Sequence, residues 1–341
     1  MNLLAFSVCF KRFPVSSAIV LFVALGSFVL HPGLAAESAD LSAGRTIRLI
    51  VPFGPGGSAD TLARAMADPV GRHLGTAVVV ENRTGAGGLV ANGVCARAKP
   101  DGETLCLGSA ATHSVLPHQH PGRIGADAAG FTPVTRIGDE ASVIVTRRDS
   151  GLQDIQALLA WGRGQPSVQF GVGGTSSTGY LMMLQISQAT GIRFDPVPYR
   201  GGMFTPTALI AGEVPIAVGP VSSFIGALRG GEIAPLLILG PARSALLPQV
   251  PTIGEAVVPG AGVSAYVGVF APAGMPEALA NRLDAAIALA FQDPGLRDRA
   301  TMMGIEIALL GPAAFAAWLR ETSPAWATVV ALATPAAATG N

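Results

Sequence analysis

Ile47–Asp60 reads IRLIVPFGPGGSAD, and its reading decides the fold. Residues 46–53 form a β-rich apolar run that predicts a buried strand. Gly54, Pro55, Gly56 and Gly57 then break it, and Leu62, Ala65, Met66 and Val70 recur at helical spacing. Ser58 is the predicted N-cap and Asp60 falls in the first helical turn. Pro69 is expected to kink or shorten this helix. A strand that ends in glycine and turns at once into a helix is one β→α step of a parallel sheet.

Working outward, residues 77–81 read as a second strand, Gly85–Gly88 open a helix running through Cys95, and residues 103–108 make a third strand. The order β-α-β-α-β predicts a mainly parallel sheet. The pattern restarts with strands at Val143–Thr146, Val168–Val172, Phe194–Pro198, Val214–Val218 and Ala234–Leu239. Helices are expected at Leu152–Trp161, around Leu181, Leu184 and Ile186, and after Gly202. This is a second α/β unit. Further on, Ala265–Ala271 reads as a strand and Pro276 as a first helical residue. Leu279, Leu283, Ile287 and Phe291 give an apolar stripe, and another amphipathic helix is expected near Ala313–Arg320. The Ala/Thr/Pro-rich tail after Ala331 is expected to fray. No internal repeat stands out.

The chain has 341 residues, enough for two domains on the usual prior of about 100–200 residues each. Half of it is hydrophobic and 13% is charged, which excludes a disordered charged tail. Lys and Arg number 22 against 22 Asp and Glu, so no cationic surplus exists to grip nucleic acid. At the N-terminus, Lys11 and Arg12 precede an apolar run of 13 residues, Ala18–Leu30, then Pro32, Gly33, Ala35 and Ala36. This is the order of a secretory signal peptide, residues 1–36, and the run is short for a membrane span. An uncleaved anchor is the alternative. Cys9 precedes the run, so it is not placed as a lipid attachment site. Cleavage after Ala36 leaves 20 basic and 22 acidic residues, net −2. Export then allows Cys95 and Cys106 to form a disulfide, while the plainer reading is two small buried residues on a helix and a strand.

Three β→α turns share one chemistry of glycine, hydroxyl and helix start: Gly56–Asp60, Gly108–His113 and Gly173–Gly179. A helix start presents unpaired N–H groups and partial positive charge, and glycine lets an anion approach them. Each turn alone is equally well a structural cap. Enzyme signatures are absent: the Walker pattern, a completed G-x-G-x-x-G and G-x-S-x-G are all missing. His118 and His120 have no partners for a metal set, and no metal or cofactor is expected. His113 reads either as a ligand donor or base, or as a hydrogen-bonded structural residue. Arg200 reads as a carboxylate clamp or a solvated arginine, and Tyr266 as a cleft wall or core.

Six segments together resemble the receptor family of tripartite tricarboxylate transporters, also called the Bug family. They are IRLIVPFGPGGSAD, VENRTGAGG (Val80–Gly88), KPDGETL (Lys99–Leu105), PYRGG (Pro198–Gly202), LPQVPTIGEA (Leu247–Ala256) and FAPAG (Phe270–Gly274), in the family's order across residues 44–330. The resemblance implies an α/β, two-lobed periplasmic binding protein of type II topology with its ligand cleft between lobes. On that basis lobe 1 is residues 43–142 plus 268–341 and lobe 2 is residues 143–267. It implies a non-enzymatic receptor that presents a small carboxylate (di- or tricarboxylate, acidic amino acid or aromatic acid) to membrane permease subunits, working as a monomer in the periplasm. The resemblance together with the turn chemistry gives the candidate ligand contacts Gly56, Gly57, Ser58, Asp60, Ser109, Ala110, Thr112, His113, Gly174, Thr175, Ser176, Tyr199, Arg200, Ser222 and Tyr266. Asp60 is expected to order the first turn or bind a bridging water. The sequence departs from the family's pattern at Gly219 and Pro220, where many relatives carry Asp-Asn, at Tyr266, where Trp is common nearby, and at Gly54, often a proline. Two alternatives stand: an exported hydrolase using His113 with Ser109 or Ser176, and a ligand-binding subunit of a sensor.

Overall fold

The computed structural model describes residues 45–125, 127–175, 177–199 and 201–333. The expected signal segment and the tail from residue 334 lie outside them. The first strand, β1 (Ile47–Val51), leads into α1 (Ser58–Leu74), β2 (Val78–Asn82), α2 (Leu89–Ala96) and β3 (Thr104–Ser109). A π-helical turn (Ala111–Val115), α3 (Leu116–Gln119) and the long β4 (Phe131–Glu140) follow. The chain then enters β5 (Ser142–Arg147), α4 (Ile155–Gly162), β6 (Val168–Val172), α5 (Thr178–Thr190), β7 (Phe194–Pro198), α6 (Thr205–Ile210), β8 (Ile216–Pro220), α7 (Val221–Gly230), β9 (Ile233–Leu239) and α8 (Ile253–Ala256). It returns through β10 (Tyr266–Pro272), α9 (Glu277–Ala290), α10 (Pro294–Met302), β11 (Ile305–Leu310) and α11 (Pro312–Ala331).

These strands build two sheets. The first has the order β11-β4-β10-β3-β1-β2 and the second β7-β6-β8-β5-β9. In each, a first strand lies parallel between a second and a third: β1 between β2 and β3, and β6 between β7 and β8. In each, the third strand next meets an antiparallel strand, β10 or β5, that has just crossed from the other sheet. This is the mixed α/β, two-sheet architecture of periplasmic binding proteins of type II topology. The crossovers fall between Glu140 and Ser142 and between Leu239 and Tyr266.

Alternation of side chains across each strand divides the core. In β1, Leu49 and Val51 pack with α1 and α9 residues such as Leu62, Met66, Leu283 and Ile287. Ile50 faces the opposite layer, with Cys95, Cys106, Phe270 and Phe315. That second layer is continuous with Ile144, Phe170 and Met182 of the other half, and Trp326, Val329 and Val330 of α11 belong to it. Cys95 and Cys106 are disulfide-bonded, with Cα atoms 6.3 Å apart. The bridge fastens α2 to β3, and replaces the plainer reading of two separate buried residues.

Several local expectations change. Gly57, not Ser58, is the N-cap of α1, with extended φ −75° and ψ 169° and no side-chain cap. The helix runs through Pro69 for 17 residues instead of stopping there, and ends at left-handed Gly75. Pro276 is the cap of α9 rather than its first residue. The C-terminal helix extends well past Arg320, to Ala331. The strand β4 has no counterpart in the pattern reading. Its FTPVTRIGDE sequence holds Pro133, Gly138 and three charges, yet Val134 through Gly138 are all buried.

Candidate functional site

A cavity of about 690 Å³ lies where the C-terminal ends of β1, β3, β6 and β8 meet. Ligands of open α/β sheets bind at such strand ends. One wall comes from the first sheet's turns, Pro52–Ala59 and Leu107–Ala111, and the other from Gly173–Thr175, Ser177–Gly179, Val218–Pro220, Ser222 and Ser223. Ser142, Ala265 and Tyr266 line it where the chain crosses between sheets. The Met203 side chain reaches over to Gly56.

The β1–α1 turn is the most constrained wall. Gly56 takes φ +82°, a conformation that suits glycine. Its N–H donates to the buried Asp60 carboxylate at 2.9 Å. Asp60 also accepts from Arg64 Nε at 3.0 Å and from Asn82 Nδ2 at 2.9 Å. Asn82 in turn donates to the Phe53 carbonyl at 2.9 Å. Burial pushes the Asp60 pKa up, but Arg64, Gly56 and Asn82 together outweigh it and hold the carboxylate below its ordinary range. Asp60 therefore orders the turn and does not line the cavity. With no side chain capping α1, its first N–H groups have no partner within the helix, and Gly57, Ser58 and Ala59 all line the cavity.

The second turn follows β3. Thr112 Oγ1 accepts from the Ser109 N–H at 2.9 Å and donates to the Ser109 carbonyl at 3.2 Å. It also lies 2.9 Å from His113 Nδ1. A hydroxyl has one proton and two lone pairs, so these contacts close if His113 donates from Nδ1. His113 Nε2 is buried without a partner among the described residues. The ring stacks on Phe270 with centroids 3.8 Å apart and meets the Phe131 edge at 4.6 Å. Burial pushes its pKa down to about 3. A Cβ on Gly108 would lie 2.5 Å from His113 Nδ1, so the strand end and the ring fit only with glycine there. Thr112 and His113 thus form the support behind the turn, while Ser109 and Ala110 line the cavity.

In the second wall, Gly174 and Thr175 line the cavity. Ser177, at the same wall, caps α5 by accepting from Tyr180 N–H at 3.3 Å. Ser222 lines the cavity with its hydroxyl shielded and unpaired among the described residues. Tyr266 lines it too, but its ring is buried against Phe315 and Trp318 and its hydroxyl lies 3.1 Å from Ser114 Oγ. Burial raises its pKa. Tyr199 is turned away, with its hydroxyl donating to Glu213 at 2.9 Å. Ser176 and Arg200 lie outside the described residues.

Of the fifteen residues singled out from the sequence, Gly56, Gly57, Ser58, Ser109, Ala110, Gly174, Thr175, Ser222 and Tyr266 come together. Asp60, Thr112 and His113 do not, because each is buried and engaged behind the wall, and Tyr199 does not, its hydroxyl taken up by Glu213 at the surface. Glu140 lines the cavity and was not anticipated. It ends β4, the strand that the apolar pattern does not reveal. Among the described residues, no helix is long and apolar enough to cross a membrane. Nor does any group of three or more His, Cys, Asp or Glu suit a metal.

The profile of the TctC family, tripartite tricarboxylate transporter family receptor, matches residues 62–331. The chain belongs to this family. Among its relatives, protein BugT of Bordetella pertussis is 31% identical over 317 residues, covering 91% of this chain and 96% of BugT. Among solved structures, MatC of Rhodopseudomonas palustris with bound malate is 29% identical with a TM-score of 0.74, covering 84% of this chain and 99% of MatC. The R. palustris protein Rpa4515 with adipate is 27% identical with a TM-score of 0.78, covering 86% and 98%. This TctC receptor is a periplasmic solute-binding protein by family, and the family consists of receptors, not enzymes. The hydrolase alternative falls with that, and geometry gives the reason at His113: a sealed ring between two phenylalanines reaches no substrate.

Proposed function

We propose that this receptor captures a small carboxylate and presents it to the membrane subunits of a tripartite transporter. The observation that carries the reading is the convergence of glycine- and hydroxyl-lined turns from both sheets on one cavity. Backbone N–H groups at Gly57 and Ser58, with Ala110 and the hydroxyls of Ser109, Thr175 and Ser222, supply donors without a cationic side chain. Anion binding at helix starts needs no more than this. The cavity falls in the usual range for small-molecule sites, roughly 300–1,000 Å³, which leaves room for bridging waters beside a small acid. Malate in MatC and adipate in Rpa4515 support a carboxylate here.

The crossovers between the sheets supply the hinge of this proposal. Glu140 N–H donates to the Ala265 carbonyl at 2.8 Å, and Asp139 bonds both Arg136 and Ser264. Two crossing strands tied to one another let the halves swing without separating, so affinity includes a closure equilibrium. The protein is proposed to act as a monomer in the periplasm after export through residues 1–36.

The test is thermal unfolding of the purified protein against mono-, di- and tricarboxylates, amino acids and aromatic acids. A ligand at about 100 times its Kd adds roughly 2.7 kcal/mol of stability, which raises Tm by several degrees. A shift confined to one acid class supports the proposal and defines the ligand. No shift with any acid, together with no acid released on denaturing the protein, would overturn it.

A further inference from the structure

We infer that Glu140 sets the ligand's chemistry: it is the counter-charge for a protonated amine, so the ligand is an amino-carboxylate rather than a plain acid. The inference rests on the carboxylate reading above and narrows it. Glu140 closes β4 at the crossover, opposite Ile305 of β11 and bonded through its N–H to Ala265, so its backbone is fixed from two sides. It lines the cavity next to the α1 turn, and the Ser58 hydroxyl donates to its carboxylate. A donated hydrogen bond favours the ionised form of an acid, and a carboxylate has lone pairs left for a further donor.

Among the described residues no Lys, Arg or His lines the cavity, and no ion pair holds Glu140. A plain dicarboxylate would therefore bring its charge against Glu140 with no cation among the described lining residues to neutralise it. An amino-carboxylate places its acid on the α1 N–H groups and its ammonium on Glu140, so both charges meet opposite partners. Burial outweighs Ser58 and holds the Glu140 carboxyl above its ordinary range, and an ammonium placed beside it would draw that pKa back down, so acid and amine stabilise each other's charged forms.

The experiment is calorimetric titration of the wild type and Glu140→Gln with matched pairs: glutamate and glutarate, aspartate and succinate, phenylalanine and 3-phenylpropionate, leucine and 4-methylpentanoate. In wild type, the amino member of the pair that binds should bind at least about tenfold tighter, the scale of one charge-assisted hydrogen bond. In Glu140→Gln, which keeps shape and an acceptor for Ser58, that ratio should fall to about one. Preference for plain acids in wild type, or an unchanged ratio in Glu140→Gln with its Tm preserved, overturns the inference and leaves the carboxylate reading intact. If the variant does not fold, the wild-type ratio alone decides. If no acid of any kind binds wild type, the carboxylate reading fails and this inference fails with it.

Discussion

α1 and α5 occupy the same place in their two sheets: each follows the central parallel strand, β1 or β6, and each starts at the cavity wall. Their starts differ. Gly57 caps α1 with no side chain, whereas Ser177 caps α5 with its own hydroxyl. The α1 turn is clamped by Asp60, Arg64 and Asn82, while the α5 turn passes through Gly174 at φ +138°. One half presents a rigid turn whose first-turn donors are open. The other satisfies part of its donors internally. Under the proposed function, the first half would hold the anion and the second would close over it, since preorganised donors lose least on binding.

The strongest way to break this comparison is Gly57→Val. Its φ of −75° suits valine, and the first atom a Cβ would meet is the Gly54 carbonyl oxygen at 3.6 Å, so the fold should tolerate the change. The branched chain would cover the first-turn N–H groups. Carboxylate affinity should fall by at least about 100-fold, or roughly 2.7 kcal/mol, with Tm nearly unchanged. Retained affinity in calorimetry would remove the α1 start from the site.

Asp60→Asn tests the clamp rather than the donors. The amide keeps one acceptor but loses the charge that Arg64 pairs with at 2.9 Å. A cost of about 1–3 kcal/mol in denaturant unfolding is expected, on the scale of unsatisfied buried partners, along with a weaker affinity as the turn loosens. The pH dependence has a definite sign. Because the folded carboxylate titrates below its ordinary value, its stabilisation is complete above the unfolded pKa, about 3.9, and is lost as pH falls through the folded one. In the variant this loss below pH 4 should be absent. Identical acid unfolding curves would argue that Asp60 does not clamp the turn.

His113 sharpens the contrast from behind the second turn of the same half. Unfolded, an imidazole takes a proton near pH 6.5; here burial keeps it neutral down to about pH 3. The unfolded state therefore binds the extra proton between these values, and stability falls as pH falls, by about 1.4 kcal/mol per unit. His113→Gln should flatten that part of the stability–pH curve between pH 6 and 4. An unchanged slope would mean that the ring is protonated in the folded protein.

Much of this was legible in the sequence because apolar runs ending in glycine mark β1, β3 and β6, and the spacing of Leu62, Met66 and Val70 marks α1. Motif order pointed to the family as well. What stayed hidden was direction and distance. Asp60 is expected from the sequence to order the first turn, and it does, whereas Thr112 reads as a ligand contact and only the fold shows its hydroxyl turned inward to hold the Ser109 backbone. The Cys95–Cys106 bridge depends on α2 lying over β3, a tertiary fact. β4 carries no apolar alternation because both its faces are covered, and Arg136 is buried against Trp318 and Asp139. With β4 went Glu140, the charged side chain that the cavity holds among the described residues.

The smallest effect bears most directly on the difference between the two helix starts. Ser177→Ala removes the hydroxyl that accepts from Tyr180 N–H. Loss of such a cap costs about 1 kcal/mol, which thermal unfolding would read as roughly 2–4 °C in a chain of this size. The affinity for carboxylate should change by less than about threefold, on the scale of a few tenths of a kcal/mol, because Ser177 serves its own helix and not the ligand. A collapse in affinity comparable to that of Gly57→Val would instead make the two starts equal partners. The division of labour between a rigid, open half and a closing, self-capped half would then have to be given up, even though the strand orders of the two sheets match.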